Sequence, residues 1–386
     1  MERPPEPEGS AAGRPCGRGA KDAGGSGVTL AAQLAEADRL RDLFAARDAV
    51  IVQTDVLQPA DTLLDLYGED IRGRSYLTSD PVRGEMVLRP DFTVPVVQMH
   101  MESHAEPARY TYAGKVFRKQ DNAPDRLSEF VQVGYEVFDG TNPALADAEV
   151  FAAIRDALGD LPLRAATGDI GILMAAVAGL RTSDARKAAL ARHIWRPRRF
   201  RTLLDRFGGR SPVPPTRAAL LAAADPFATA GPDIGKRSRT EVADRIATLR
   251  ADAATPPISS EELALLDTLL GLRETSDHVL SQLRDIAVDM PAIGPAVMRL
   301  NARLDALEDY GVDVSALEFE GSYGRTSLEY YDGFVFGFYA ADPNLPPVAT
   351  GGRYDALTAR LGDGNAVPAV GGVIRPDLVL AVRGMV

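Results

Sequence analysis

Gly114-Lys115-Val116-Phe117-Arg118, a polar loop, and then Arg126-Leu127-Ser128-Glu129-Phe130-Val131-Gln132-Val133-Gly134-Tyr135-Glu136-Val137-Phe138 read as two strands joined in a hairpin. Apolar residues recur at a period near two, and a strand turns successive side chains to opposite faces. Phe130, Gln132, Gly134, Glu136 and Phe138 therefore share one face, with Gly134 leaving room between Gln132 and Glu136. That surface predicts the floor of a pocket for a small polar ligand. Arg118 and Arg126 bracket the loop, and their guanidinium forks suit a carboxylate or a phosphate. Surface ion pairing is the plainer use of the same two residues.

Outward from the hairpin, Met86 to Arg89 and Arg109 to Phe117 add strand patterns, so an antiparallel sheet is expected. Between them, Leu88-Arg89-Pro90-Asp91-Phe92-Thr93 delivers an acid and a hydroxyl beside a proline-stiffened bend. Asp91 there could hold an amino group, or Asp91 and Thr93 could simply cap the next helix. Asn142 and Pro143 form a cap followed by Pro in the first turn, ahead of Leu145, Val150, Phe151, Ile154 and Leu158 at helical spacing. At the other end, Thr29 precedes Leu30, Leu34, Ala37, Leu40, Leu43 and Phe44, an amphipathic helix.

Residues 1–27 are Gly-, Pro-, Glu- and Ala-rich with almost no large apolar side chains, and are expected to form a disordered tail. Residues 28–180 form the first part of a core, residues 181–290 an inserted helical subdomain, and residues 291–386 the second part of the core. Ser259 and Glu262 offer a capping box inside the insertion, and Pro291 to Tyr310 supplies a helix ending at Gly311. Strand patterns return at Glu318 to Ser322, Gly333 to Ala340 and Val367 to Ile374. Strands on both sides of a helical block predict an α+β fold: one discontinuous antiparallel sheet flanked by helices. The late segment also contains Tyr330-Tyr331-Asp332-Gly333 and Gly351-Gly352-Arg353-Tyr354-Asp355, where glycines beside tyrosines suit either a ring-binding wall or an aromatic core stripe.

Bulk properties narrow the function. With 386 residues, 45% of them hydrophobic, the chain can bury a large core. A formal net charge of -11 argues against binding nucleic acid by phosphate neutralisation alone. The single cysteine, Cys16, lies in the tail and fits a reducing compartment, hence the cytoplasm. No apolar run spans a bilayer and no phosphate loop or dinucleotide-binding glycine pattern occurs, so neither a membrane nor a cofactor is expected. His100 and His104 bracket Glu102 without an evident third ligand, and are read as helix-face residues rather than a metal site. Arg192, Arg196, Arg198, Arg199, Arg201, Arg206 and Arg210 cluster about Trp195, a solvated helical face with some subunit contact.

In this order, the stretches resemble the histidyl-tRNA synthetases over roughly residues 29–180 and 311–380. The resemblance implies a class II synthetase-like fold in which Asp91, Thr93, Gln132, Glu136, Tyr330, Tyr331, Arg353 and Tyr354 belong to a histidine site, with Arg118 and Arg126 holding carboxylate and phosphate. Two departures weigh against adenylation. Where that family has Arg-Gly-Leu-Asp before its paired tyrosines, Thr326 stands at the arginine, and a hydroxyl cannot stabilise developing phosphate charge as a guanidinium does. Arg325, next to it, is expected to face the opposite side.

Motif 3 is also out of register in Val370-Gly371-Gly372-Val373-Ile374-Arg375-Pro376-Asp377-Leu378, where Arg375 is the available substitute for an ATP-binding arginine. The sequence given closes at Val386, so no C-terminal anticodon-binding domain is expected. Together with Glu329-Tyr330-Tyr331-Asp332-Gly333-Phe334-Val335-Phe336, these departures resemble the regulatory subunits of short-form ATP phosphoribosyltransferase. That resemblance implies a non-catalytic chain that dimerises, joins the short catalytic subunit in a hetero-octamer, and takes part in feedback inhibition by histidine, with no tRNA bound. Competing readings are a synthetase-like ligase that activates histidine or charges tRNA, and an amino-acid-binding module with another partner.

Overall fold

The computed structural model describes residues 28–67, 73, 75–103, 105–120, 127–228, 230–231, 234–325 and 330–384. Arg126 and Thr326 lie outside the described residues, as do His104, Glu329 and the tail 1–27. The strands in chain order are β1 (Val50–Ile51), β2 (Leu57–Pro59), β3 (Leu77–Asp80), β4 (Gly84–Leu88), β5 (Ala108–Phe117), β6 (Glu129–Phe138), β7 (Arg164–Asp169), β8 (Arg273–Thr275), β9 (Glu318–Glu320), β10 (Phe334–Tyr339), β11 (Ala349–Arg353) and β12 (Ala369–Ile374).

The β5–β6 hairpin forms as its alternation predicts, with Tyr112 opposite Gly134 and Tyr110 opposite Glu136. It sits inside a nine-stranded sheet ordered β1-β5-β6-β12-β11-β10-β7-β9-β8. Pairing is antiparallel through the centre, from β5 to β7. Parallel pairs occur only near the edges, β1 with β5 and β7 with β9. β6 and β12 are neighbours although far apart in sequence, so the strands on the two sides of the helical stretch close into one sheet.

Three sequence expectations differ from this arrangement. The strand expected at Met86 to Arg89 is β4, but it pairs with β2 and β3 in a separate three-stranded sheet. The Arg89 guanidinium reaches the carbonyls of Lys115 and Thr54, and Pro90 follows, so the chain turns away before it can join the larger sheet. Strand β8 lies inside the stretch read as helical and pairs with β9. β7 and β11 were not anticipated either, because Arg164-Ala165-Ala166-Thr167-Gly168-Asp169 and Ala349-Thr350-Gly351-Gly352-Arg353 each carry one β-branched residue, a threonine, and no aromatic.

Helix ends follow the sequence closely. The Thr29 hydroxyl accepts from Ala32 N–H at 3.2 Å and starts helix Leu30–Ala45. Asn142 accepts from Leu145 N–H at 3.2 Å and starts helix Pro143–Leu158. Ser259 and Glu262 form both halves of the capping box on helix Ser260–Gly271, and Glu262 also accepts from Arg181 N–H at 2.7 Å.

One face of the large sheet is dry. Phe44 of the first helix stacks on Tyr135 at 5.1 Å, and Phe151 of helix Pro143–Leu158 packs among Phe334, Phe336 and Phe338. Each such buried ring contributes about 1.5–3 kcal/mol. Helix Gly294–Asp309 covers Pro143–Leu158 and inserts Arg303, only 2% exposed, into an ionic cluster beneath. Arg303 bonds Asp147 at 3.1 Å and Asp169 at 2.6 Å, and Arg353 bonds Asp147 at 2.7 Å and Asp355 at 3.0 Å. The cluster thus fastens a helix and a strand that precede the helical stretch to a helix and a strand that follow it.

Candidate functional site

The opposite face of β6 carries Gln132 and Glu136, and the pocket closes over them. Asp91, Thr93, Arg118, Gln132, Glu136, Tyr330, Tyr331 and Tyr354 line a narrow pocket, with Gly371, Gly372 and Val373 of β12 as its remaining wall. Of the ten residues expected at a ligand site, the structure thus brings eight together. Arg126 lies outside the described residues. Arg353 is elsewhere: its side chain leaves β11 toward Asp147, Asp355 and the Pro143 carbonyl, because the residue beside it in the strand faces the other way. Those bonds tie β11 to helix Pro143–Leu158, and Arg353 is not among the residues lining the pocket.

Asp91 reconciles two readings of its segment. Its carboxylate accepts from Val94 N–H at 3.4 Å, capping helix Thr93–Ser103, and it also faces the cavity. Glu136 is the hub. It accepts from Tyr354 at 2.6 Å, Tyr112 at 2.7 Å and Thr93 at 3.1 Å. Burial nevertheless pushes its carboxyl up to about 7, against those three hydroxyl donors, and the nearby charge of Asp91 adds to the rise. Burial raises Asp91 too, opposed mainly by the positive charge of Arg118. Tyr354 and Tyr112 are driven well above the usual phenol range by burial and by Glu136, so both keep the protons they donate.

Tyr112 was missed in the sequence reading. The space beside Gly134 is filled by its ring, since a Cβ on Gly134 would sit 2.1 Å from Tyr112 Cζ. An aromatic directly opposite a glycine in an antiparallel pair was the available signal. Gly371 is as constrained: a Cβ there would lie 1.4 Å from a Glu136 carboxylate oxygen. The sheet thus brings bare backbone against the carboxylate.

Two features of this pocket suit a group that carries N–H donors. Gln132 is 2% exposed and its amide oxygen has no hydrogen-bond partner among the described residues. Such a group costs about 1–3 kcal/mol unless something occupies it. In addition, among the described residues two buried carboxylates face one arginine, Arg118, whose Nε–H is already bonded to the Pro90 carbonyl at 2.7 Å.

Arg325 lies in a turn rather than on a strand and is not among the residues lining this pocket: its Nε–H donates to the Ile194 carbonyl at 2.8 Å and its guanidinium lies 4.8 Å over Phe200. Arg375 is held by Asp377 at 2.7 Å and lies 4.2 Å over Phe130. It is not among the residues lining the cavity. His100 is buried, stacked on Phe138 at 3.8 Å with Nδ1 beside the Tyr110 hydroxyl. No cluster of three metal-ligating side chains occurs among the described residues, and none of their helices is long and apolar enough to cross a membrane.

The family model for histidyl-tRNA synthetase matches residues 30–243 and 238–379. The ATP phosphoribosyltransferase regulatory subunit of Brucella ovis is 31% identical over 367 residues, 89% of this chain and 96% of that protein. The chain belongs to the ATP phosphoribosyltransferase regulatory subunits, a branch of the histidyl-tRNA synthetase-like proteins. Among solved structures, an ATP phosphoribosyltransferase regulatory subunit/histidyl-tRNA synthetase from Bacillus halodurans superposes with a TM-score of 0.64 at 21% identity, covering 91% of this chain and 79% of that one. A histidine–tRNA ligase subunit from Alicyclobacillus acidocaldarius gives 0.58 at 22%, covering 97% and 98%. Both share the fold.

Proposed function

We propose that this chain is the non-catalytic regulatory subunit of a cytoplasmic ATP phosphoribosyltransferase, that it dimerises and assembles with the short catalytic subunit as a hetero-octamer, and that its pocket binds histidine for feedback control. The observation that supports the ligand is the surplus of buried acceptors among the described residues: Asp91, Glu136 and the Gln132 amide oxygen, which has no partner among them, against the one lining arginine they include. A free amino acid answers each of these. Its ammonium neutralises the acidic side, its carboxylate takes Arg118, and a ring N–H reaches a carboxylate or amide acceptor. Sensing asks only that the ligand bind two states of an assembly unequally, with no bond made or broken.

Purified with a short ATP phosphoribosyltransferase, this chain is expected to co-elute and raise phosphoribosyl transfer, and histidine to inhibit the complex. Independent elution with unchanged transfer would overturn the reading. Histidine-dependent exchange of pyrophosphate into ATP by the chain alone would favour a ligase instead.

The pocket also sets a proton balance. A cation placed beside Glu136 favours its ionised form, so the carboxyl at about 7 should drop on binding and lose its proton. Histidine affinity should therefore increase as pH rises from about 6 to 8, with proton release near pH 7. Calorimetry in buffers of different ionisation enthalpy measures that release directly, and an absence of proton release would contradict this role for Glu136.

A further inference from the structure

Between helices Asp184–Arg192 and Pro197–Phe207 runs a short turn. From it the Trp195 indole N–H donates to the backbone carbonyl of Tyr331 at 3.2 Å. The preceding residue, Ile194, is fully buried and offers its own carbonyl to Arg325 Nε at 2.8 Å. One turn of the helical stretch therefore holds the chain at Arg325, ahead of the paired tyrosines, and at Tyr331 itself. Arg325 is 5% exposed and stacked over Phe200 of the next helix, an expensive place for a guanidinium unless it fixes something.

From Tyr331 the contacts run straight into the pocket. Tyr331 packs edge-on against Tyr330 at 4.9 Å, Tyr330 against Tyr354 at 6.0 Å, and Tyr354 donates to Glu136. Tyr331 also packs close to Gly352, where a Cβ would come within 2.7 Å of its ring. The tyrosine wall is thus fixed from the sheet side by glycine and from the helical side by Trp195.

We infer that the Ile194–Trp195 turn sets the position of the Tyr330–Tyr331 wall, making Trp195 and Arg325 positioning residues for the ligand pocket and coupling that pocket to the helical stretch 184–289. The ligand arm of the test rests on the histidine reading above; the exchange arm does not.

Trp195 is the only tryptophan in the sequence, so its emission reports on this turn alone. In the full-length wild type, histidine should shift that emission with the same midpoint that calorimetry gives. Trp195→Phe keeps a ring but removes the donor and should weaken histidine binding about tenfold. It should also speed amide hydrogen exchange in peptides containing Tyr330 and Tyr331, while the β5–β6 hairpin exchanges as in the wild type. Arg325→Gln, which keeps a donor and drops the charge, should do the same more weakly.

A merely structural tryptophan would lower thermal stability and leave local exchange at the tyrosines in step with the hairpin. That result in both variants would overturn the inference. If the wild type binds no histidine, the ligand reading fails, and the exchange comparison still decides the positioning role.

Discussion

Glu136→Gln is expected to abolish histidine binding at concentrations that saturate the wild type, an affinity loss of about 100-fold or more, while the protein stays folded. The carboxylate is the common acceptor for Tyr112, Tyr354 and Thr93, and an amide can accept through only one of its two heavy atoms. Losing a charge-assisted partner in a buried site costs about 3 kcal/mol, which is that 100-fold.

Stability should respond differently. Folding raises this carboxyl from an ordinary 4.5 to about 7, so the native state holds a proton that the unfolded chain has already lost in that window. The stabilisation from that proton is complete below about pH 4.5 and disappears as pH rises through 7, a swing of about 3 kcal/mol. Urea unfolding of Glu136→Gln should show a flatter pH dependence over pH 5–7.5 than the wild type, with no loss of midpoint at pH 8. A variant that binds histidine normally, or one that unfolds at pH 8, would contradict the assignment of Glu136 to the ligand.

Arg303→Met should have the opposite profile, with a large loss of stability and no direct effect on the pocket. Its guanidinium pairs with Asp169, which is 7% exposed, and shares Asp147 with Arg353. Removing it leaves a buried carboxylate unpaired, at a cost of about 3–5 kcal/mol. Adding Asp169→Asn should return part of that loss, because the stranded charge disappears with it. Equal urea midpoints for wild type and Arg303→Met would show that the cluster contributes nothing.

The hairpin was legible because its alternation is strong, and with it came the shared face of Gln132 and Glu136. Caps at Thr29, Asn142 and Ser259 were legible for the same local reason: each is a short polar side chain bonding its own helix. What escaped depends on partners distant in sequence. β7 and β11 are strands because β10 lies between them, and their composition says little. Arg353 reads as a pocket residue in a Gly-Gly-Arg-Tyr-Asp run, but the alternation of the strand sends it to Asp147 and leaves Tyr354 to the ligand side. Tyr112 needed its pairing with Gly134 to be known before its hydroxyl could be placed on Glu136.

The placement of β12 beside β6 has a consequence for how the molecule is made. On the ribosome, the hairpin emerges early with the long edge of β6 unpaired, and it stays so until Ala369–Ile374 is synthesised. Such an edge, rich in valine and aromatic side chains, is a template for adhesion between nascent chains. Newly translated copies should therefore lean on chaperones until the final segment arrives, and a prematurely terminated product would have neither a finished sheet nor a wall for its ligand.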